Sequence, residues 1–181
     1  QDEFPRFVFA PGSPVHAYDT LIRAFHLSEK YQVPAIVLTD QYINDSLWIT
    51  DEDIRVPEEP ERFVIDDDQI SSPKDYQRFA VTESGISPRA LPCRGKALVG
   101  VTANEHDEAG HMTETAADRN RMMEKRQAKE TGMAGEMQGP DGYHGDSESL
   151  LVGWGSSGGA IREAVDLMRA ENADVGALIF S

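Results

Sequence analysis

Between Phe4 and Tyr42 the chain reads FPRFVFAPGSPVHAYDTLIRAFHLSEKYQVPAIVLTDQY, one helix followed by one strand, and this restricts the fold more than any other stretch. Ser13 is a good N-cap, because its hydroxyl can accept from an unpaired backbone N–H, and Pro14 suits the first helical position, where its missing N–H costs nothing. Tyr18, Leu21, Ile22 and Phe25 recur at the three- and four-residue spacing of one helical face, which is expected to pack on a sheet, while Asp19, Arg23, His26 and Lys30 point elsewhere. Val33-Pro34 stops the helix. Ala35-Ile-Val-Leu-Thr39 is an unbroken apolar run of the kind found in strands covered on both faces, so the unit predicts an α/β fold with parallel strands.

The far end of the chain repeats this grammar. Leu150-Leu-Val-Gly-Trp154 reads as a buried strand and Gly155-Ser-Ser-Gly-Gly159 as a tight turn. Ala160 to Arg169 reads as a helix with Ile161, Ala164, Val165 and Met168 on one face, and Val175 to Phe180 as the next strand. Gly153, Gly155 and Gly158 spell G-x-G-x-x-G between strand and helix, the dinucleotide fingerprint. The acid that would bind a ribose is missing, since Leu178-Ile-Phe-Ser181 supplies none. A phosphate or sulfate at the helix N-terminus is a secondary reading.

RFVFAPGSP and SEKYQVPAIVLTDQ, ending in Tyr42, resemble the α subunit of 2-oxoacid:ferredoxin oxidoreductases, the 2-oxoglutarate type more than the pyruvate type. The resemblance continues in the same order through GISPRALP (85–92), NEHDEAGHMTE (104–114), RMMEKR (121–126) and LLVGWGSSGGAIREAVDLMR (150–169). It implies parts of two Rossmann-like, thiamine-diphosphate-fold α/β domains joined by an irregular connector. These are the end of the pyrimidine-binding domain (1–45), a connector with short strands and one helix (46–148), and the start of a transketolase C-terminal-like domain (149–181). The implied chemistry is oxidative decarboxylation of a 2-oxoacid, 2-oxoglutarate foremost, to acyl-CoA and carbon dioxide, with electrons passed through an iron-sulfur cluster to ferredoxin. The implied cofactors are thiamine diphosphate with Mg2+ and that cluster, held mainly outside this segment, and the implied partner is a β subunit. The glutamate that activates the aminopyrimidine would lie upstream, so no catalytic residue is assigned. Asp40 and Gln41 are expected near the cofactor, because ligands of α/β sheets gather beyond the carboxyl ends of strands. The alternative is a dinucleotide-binding or structural module built on the glycine-rich turn.

At 181 residues and 20.0 kDa the chain has room for one ordinary domain or parts of two. Parts of two are expected, because both ends read as cut from a longer polypeptide. A net charge of −15 argues against nucleic acid, whose phosphates are met by clustered Lys and Arg. No apolar run approaches the ~20 residues of a membrane-spanning helix. The N-terminus has no signal-peptide pattern, which favours a cytoplasmic location. The single Cys93 excludes an intrachain disulfide and a four-thiolate cluster within the chain, and reads as a plain thiol.

Between Asn44 and Pro73 the chain is acidic and punctuated by Pro57, Pro60 and Pro73, as expected of an extended, solvated connector anchored by Trp48 and Ile49. Asp66-Asp67-Asp68 lacks the EF-hand spacing. Phe79-Ala-Val81 and Ala97 to Val101 read as short strands of a hairpin-like flap, turning through Gly85 to Arg89. His106, Asp107, Glu108 and His111 look like metal ligands, but the histidines are five apart and Gly110 interrupts any helix, so no metal is assigned. A loop packing between domains or subunits, with imidazoles bonded to carboxylates, is the preferred reading. A helix follows from Thr115, with Thr115 and Asp118 in capping-box-like positions. On it Arg119, Arg121, Lys125, Arg126 and Lys129 form either a solvated face or a surface for coenzyme A phosphates or an acidic partner. Thr131 to Ser149 reads as a flexible linker.

Overall fold

The computed structural model describes residues 4–51, 54, 61–70, 72 and 75–181. They fall into two compact units, each described by itself. The α/β unit comprises Arg6–Ser28, Pro34–Pro60 and Gln138–Ser181, and the connector unit Gln1–Pro5, Glu29–Val33 and Glu61–Met137.

In the α/β unit, β1 (Phe7–Phe9) pairs in parallel with β2 (Ala35–Val37), Val8 opposite Ile36. They are joined by α1 (Pro14–Tyr31), whose last turn belongs to the connector unit. The N-terminus of α1 forms as its residues dictate: Ser13 Oγ accepts from His16 N at 3.1 Å, and Ser13 O from Ala17 N at 2.8 Å. Gln32, at φ +52°, turns the chain out of the helix just before Val33-Pro34. The buried stripe of α1 differs from the expected one. Thr20, Ala24, Leu27 and Tyr31 are covered, whereas Leu21 and Phe25 are exposed, Phe25 at 72%. Apolar spacing locates a stripe only to within one residue, about 100° of rotation, and does not say which of two adjacent stripes is covered. β2 is likewise not covered on both faces, since Ile36 and Leu38 are exposed.

The second sheet of this unit has the order β3 (Asp141–Tyr143), β5 (Val175–Phe180), β4 (Ser149–Trp154). β4 (Ser149–Trp154) and β5 (Val175–Phe180) are parallel, in register from Ser149↔Val175 to Trp154↔Phe180, and α4 (Ser157–Ala170) crosses between them. Val165, Val175, Ala177 and Ile179 form the core, flanked by Tyr143, Leu151, Ile161 and Ala173. Met168 lies outside it and is exposed. β4 is covered on one face only: Leu150, Val152 and Trp154, with Phe180 opposite Trp154, are exposed. The stretch expected to be a flexible linker is ordered. Its first residues complete a helix that ends at Glu136, and Asp141–Tyr143 forms β3, antiparallel to β5. Gly176 admits that strand, because a Cβ there would overlap the carbonyl oxygen of His144.

The short helix α2 (Gln41–Asp45) follows β2. Trp48 meets Tyr42 edge-on, with ring centroids 6.4 Å apart, whereas Ile49 is fully exposed and anchors nothing. The three prolines of the acidic run lie outside the described residues.

In the connector unit a 3-10 turn (Asp67–Gln69) leads into a small core of Ile70, Tyr76 and Ala90, flanked by Ile65, Ala97 and Val99. Tyr76 OH donates to Pro88 O and accepts from Ala90 N. The two strands expected at 79–81 and 97–101 do not form. Phe79 N donates to Glu108 O and Val81 N to Glu108 Oε2, so a loop takes the donors that a hairpin ladder would have used. α3 (Ala116–Glu136) is the long element of this unit, and Thr115 Oγ1 caps it by accepting from Asp118 N at 3.2 Å.

Candidate functional site

Two places concentrate polar chemistry, one in each unit. In the α/β unit the carboxyl ends of β2 and β4 meet at Asp40. Its Oδ1 accepts from Ile43 N at 3.0 Å and caps α2, while Oδ2 accepts from the Ser156 hydroxyl in the glycine-rich turn. The Ser156 hydroxyl first, and the Ile43 amide second, hold this carboxyl below the usual range. The anion at the start of α4 is therefore the chain's own carboxylate, in the place where a phosphate was a secondary reading. Gln41, on the first turn of α2, is exposed.

The three glycines of G-x-G-x-x-G have packing reasons. A Cβ on Gly153 would strike Ile161 Cδ1, one on Gly158 would come within 3.0 Å of Ile179 Cγ2, and Gly155 sits at φ +60°. Gly12 approaches the same turn, since a Cβ there would lie 3.3 Å from Gly155 O. The glycines close a strand-turn-helix on itself, and the fingerprint's remaining parts, a free anion seat and a ribose-binding acid, are missing here. Nearby, a cavity of about 150 Å3 is lined by Phe9, His16, Asp19, Thr20, Arg23 and Gln138. Arg23 Nη1 donates to Gln138 Oε1 at 2.8 Å and its guanidinium lies 5.7 Å from the Phe9 ring centroid.

In the connector unit the segment 104–114 packs on α3 through its carboxylates. Glu105 receives Arg119 and Arg126, and Arg126 is the main cause that holds its carboxyl low. Glu108 pairs with Arg121. His111 Nδ1 lies 3.3 Å from Asp107 Oδ2, but His106 instead stacks on Phe79, ring centroids 3.8 Å apart, with Nδ1 2.9 Å from Asp107 O. Among the described residues no group of three or more His, Cys, Asp or Glu is placed to hold a metal ion.

The five cations of α3 are not one solvated face. Arg119, Arg121 and Arg126 are neutralised by that loop, whereas Lys125 and Lys129 are buried, 8% and 6% exposed. Burial pushes both ammonium groups down to about 8, helped at Lys125 by Arg78 and Arg126 and at Lys129 by Lys125 and Arg78. Lys129 Nζ donates to Gln32 O at 3.1 Å, Arg78 Nη1 to Gln32 Oε1 at 2.8 Å, and Gln32 Nε2 to Ser87 O at 2.6 Å. Sequence spacing marks the lysines but not Arg78, which is 47 positions upstream of Lys125 and carries no motif.

The family model for pyruvate flavodoxin/ferredoxin oxidoreductase, thiamine diphosphate-binding, matches residues 1–125. The chain belongs to this oxidoreductase family. Within the family it is 36% identical over 95% of its length to subunit alpha of 2-oxoacid:ferredoxin oxidoreductase 1 from Sulfurisphaera tokodaii. It is 38% identical over 92% to subunit alpha of 2-oxoacid:ferredoxin oxidoreductase 2 from Aeropyrum pernix, and 28% identical over 96% to 2-oxoglutarate oxidoreductase subunit KorA from Mycobacterium tuberculosis. It spans 27%, 26% and 26% of those proteins respectively, about a quarter of their length. The solved 2-oxoglutarate:ferredoxin oxidoreductase from Magnetococcus marinus, with 2-oxoglutarate, coenzyme A and succinyl-CoA bound, matches with a TM-score of 0.74 and 26% identity, over 97% of this chain and 30% of that one. The α/β class is thereby that of a thiamine-diphosphate-type oxidoreductase.

Neither of two cavities among the described residues makes a complete seat for the oxidoreductase family's cofactor. Ligand pockets usually enclose roughly 300–1,000 Å3. The cavity of about 150 Å3 is smaller than that, and the carboxylate of Asp40 is engaged within the chain. A larger cavity of about 350 Å3 in the connector unit, lined by Ile65, Gln69, Ile70, Asp75, Tyr76 and Ala80, has no cation among its described lining residues.

Proposed function

We propose that the chain is a segment of the α subunit of a thiamine-diphosphate-dependent 2-oxoacid:ferredoxin oxidoreductase, acting on 2-oxoglutarate and giving acyl-CoA and carbon dioxide. The match of the family model over residues 1–125 carries this reading. The choice of 2-oxoglutarate follows the names of the Mycobacterium tuberculosis relative and the Magnetococcus marinus structure. On this reading residues 1–45 close the pyrimidine-binding domain, 46–148 connect, and 149–181 open the transketolase C-terminal-like domain. The enzyme is cytoplasmic, and its β subunit carries the Mg2+ and the iron-sulfur cluster. Thiamine diphosphate supplies the nucleophilic carbon and electron sink that decarboxylation needs. This segment's part is support: Asp40 ties the end of β2 to the turn before α4, and Gln41, with its side chain free among the described residues, is the nearer candidate for contact with the cofactor.

The test is electron transfer to a viologen dye by the full-length parent protein, co-expressed anaerobically with its β subunit. Reduction that requires 2-oxoglutarate, coenzyme A and thiamine diphosphate together is the expected result. Equal rates with pyruvate would remove the substrate assignment, and no reduction with any 2-oxoacid, despite bound cofactor and intact cluster, would remove the reading itself.

A further inference from the structure

Three cations of the connector unit converge, and among the described residues no carboxylate bonds to any of them. The Arg78 guanidinium lies 5.0 Å and Lys125 Nζ 5.9 Å from the Phe79 ring centroid, and Lys129 is one turn beyond Lys125 on α3. Arg78 and Lys129 donate only to the neutral oxygens of Gln32, and Lys125 donates to no described residue. Of the acids of segment 104–114, Glu108 offsets part of the charge at Lys125 but is paired with Arg121, and Glu105 holds Arg119 and Arg126. Arg89, which adds to the positive field at Arg78, is itself bound to Glu29. Charges taken out of water are ordinarily paired or hold a ligand, and three adjacent like charges without a counter-ion repel one another.

We propose that Arg78, Lys125 and Lys129 form an oxyanion site that takes one carboxylate or phosphate group beside the Phe79 ring. A guanidinium fork and two ammonium groups match the several lone pairs of such a group better than those of a monatomic ion. An oxyanion there would restore the lysines toward their ordinary ammonium state, which burial now opposes. The site does not depend on the thiamine reading, because it rests on the cations alone. The oxyanion has two sources: a small molecule such as inorganic phosphate or coenzyme A, or an Asp or Glu of the partner subunit.

Acetic anhydride labelling of Lys125, read by mass spectrometry in the full-length protein with and without its β subunit, separates these sources. A small-molecule source predicts that inorganic phosphate, acetate or coenzyme A slows labelling roughly tenfold, and that Arg78→Met abolishes the protection. A carboxylate of the partner predicts slow labelling in the complex without added anion and fast labelling of the α chain alone. Equal, fast labelling under every condition overturns the proposal. If Lys125 is unreactive throughout, Lys125→Met decides. A lower Tm of the complex then means that a bound anion has lost its cation, and a higher Tm means that an unpaired buried charge has been removed, which also overturns the proposal.

Discussion

Lys125 and Lys129 differ from the other cations of α3 because the protein, not solvent, surrounds them. Each is held at about 8 in the folded chain against 10.5 when unfolded. Between these values the unfolded chain binds more protons, so stability should rise with pH from about 8 toward 10.5, with the full cost present below 8. The gain is at most about 3 kcal/mol per lysine, less where solvent still reaches the group. Urea midpoints of the full-length α chain at pH 7, 8 and 9, with and without Lys125→Met and Lys129→Met together, would check this, and the double variant should flatten the profile. Glu105 has the opposite character. Replacing it by Ala removes the acid that Arg119 and Arg126 share, and should cost on the order of 2 kcal/mol, measured by the same midpoints. At this scale the sequence shows that five basic residues share one helix, but not which are paired, because the pairing acids Glu105 and Glu108 are fixed by the path of a loop.

Among the elements, capped helices were the most legible, since Ser13 with Pro14 and Thr115 with Asp118 carry their start signals within four residues. The strands expected at 79–81 and 97–101 failed for the complementary reason: a strand needs a partner, and the local apolar pattern does not supply one. The glycines allow a test. Gly159, on α4, has open space where a Cβ would stand, so Gly159→Ala should stabilise by about 0.5–1 kcal/mol through helix propensity. Gly176→Ala must displace the His144 carbonyl, and Gly153→Ala must displace Ile161, so both should destabilise, Gly176→Ala the more because backbone yields less than a flexible side chain. Thermal melts of the three full-length variants, in the order Gly159→Ala highest and Gly176→Ala lowest, would bear this out.

For the molecule as a whole the telling feature is uncovered apolar surface. Val8, Ile36 and Leu38 are exposed along the parallel pair of β1 and β2, and Leu150, Val152, Trp154 and Phe180 along the parallel pair of β4 and β5 in the mixed sheet. Parallel sheets are normally covered on both faces. The 181-residue chain prepared alone is therefore expected to bind a hydrophobic dye and to self-associate, and the full-length complex to do neither; equal dye binding per chain would contradict this. The sequence by itself determined the first helix-strand unit, the last strand-helix-strand unit, the starts of α1 and α3, and the family, because these depend on local spacing, caps and runs of identical residues, whereas it showed neither β1 nor the start of α4 at Ser157. Only the tertiary structure decided which helix stripe is covered, that Asp40 fills the anion position at α4, and that Arg78 joins Lys125 and Lys129. Each of these depends on where residues far apart in the chain come together, and no local pattern encodes that.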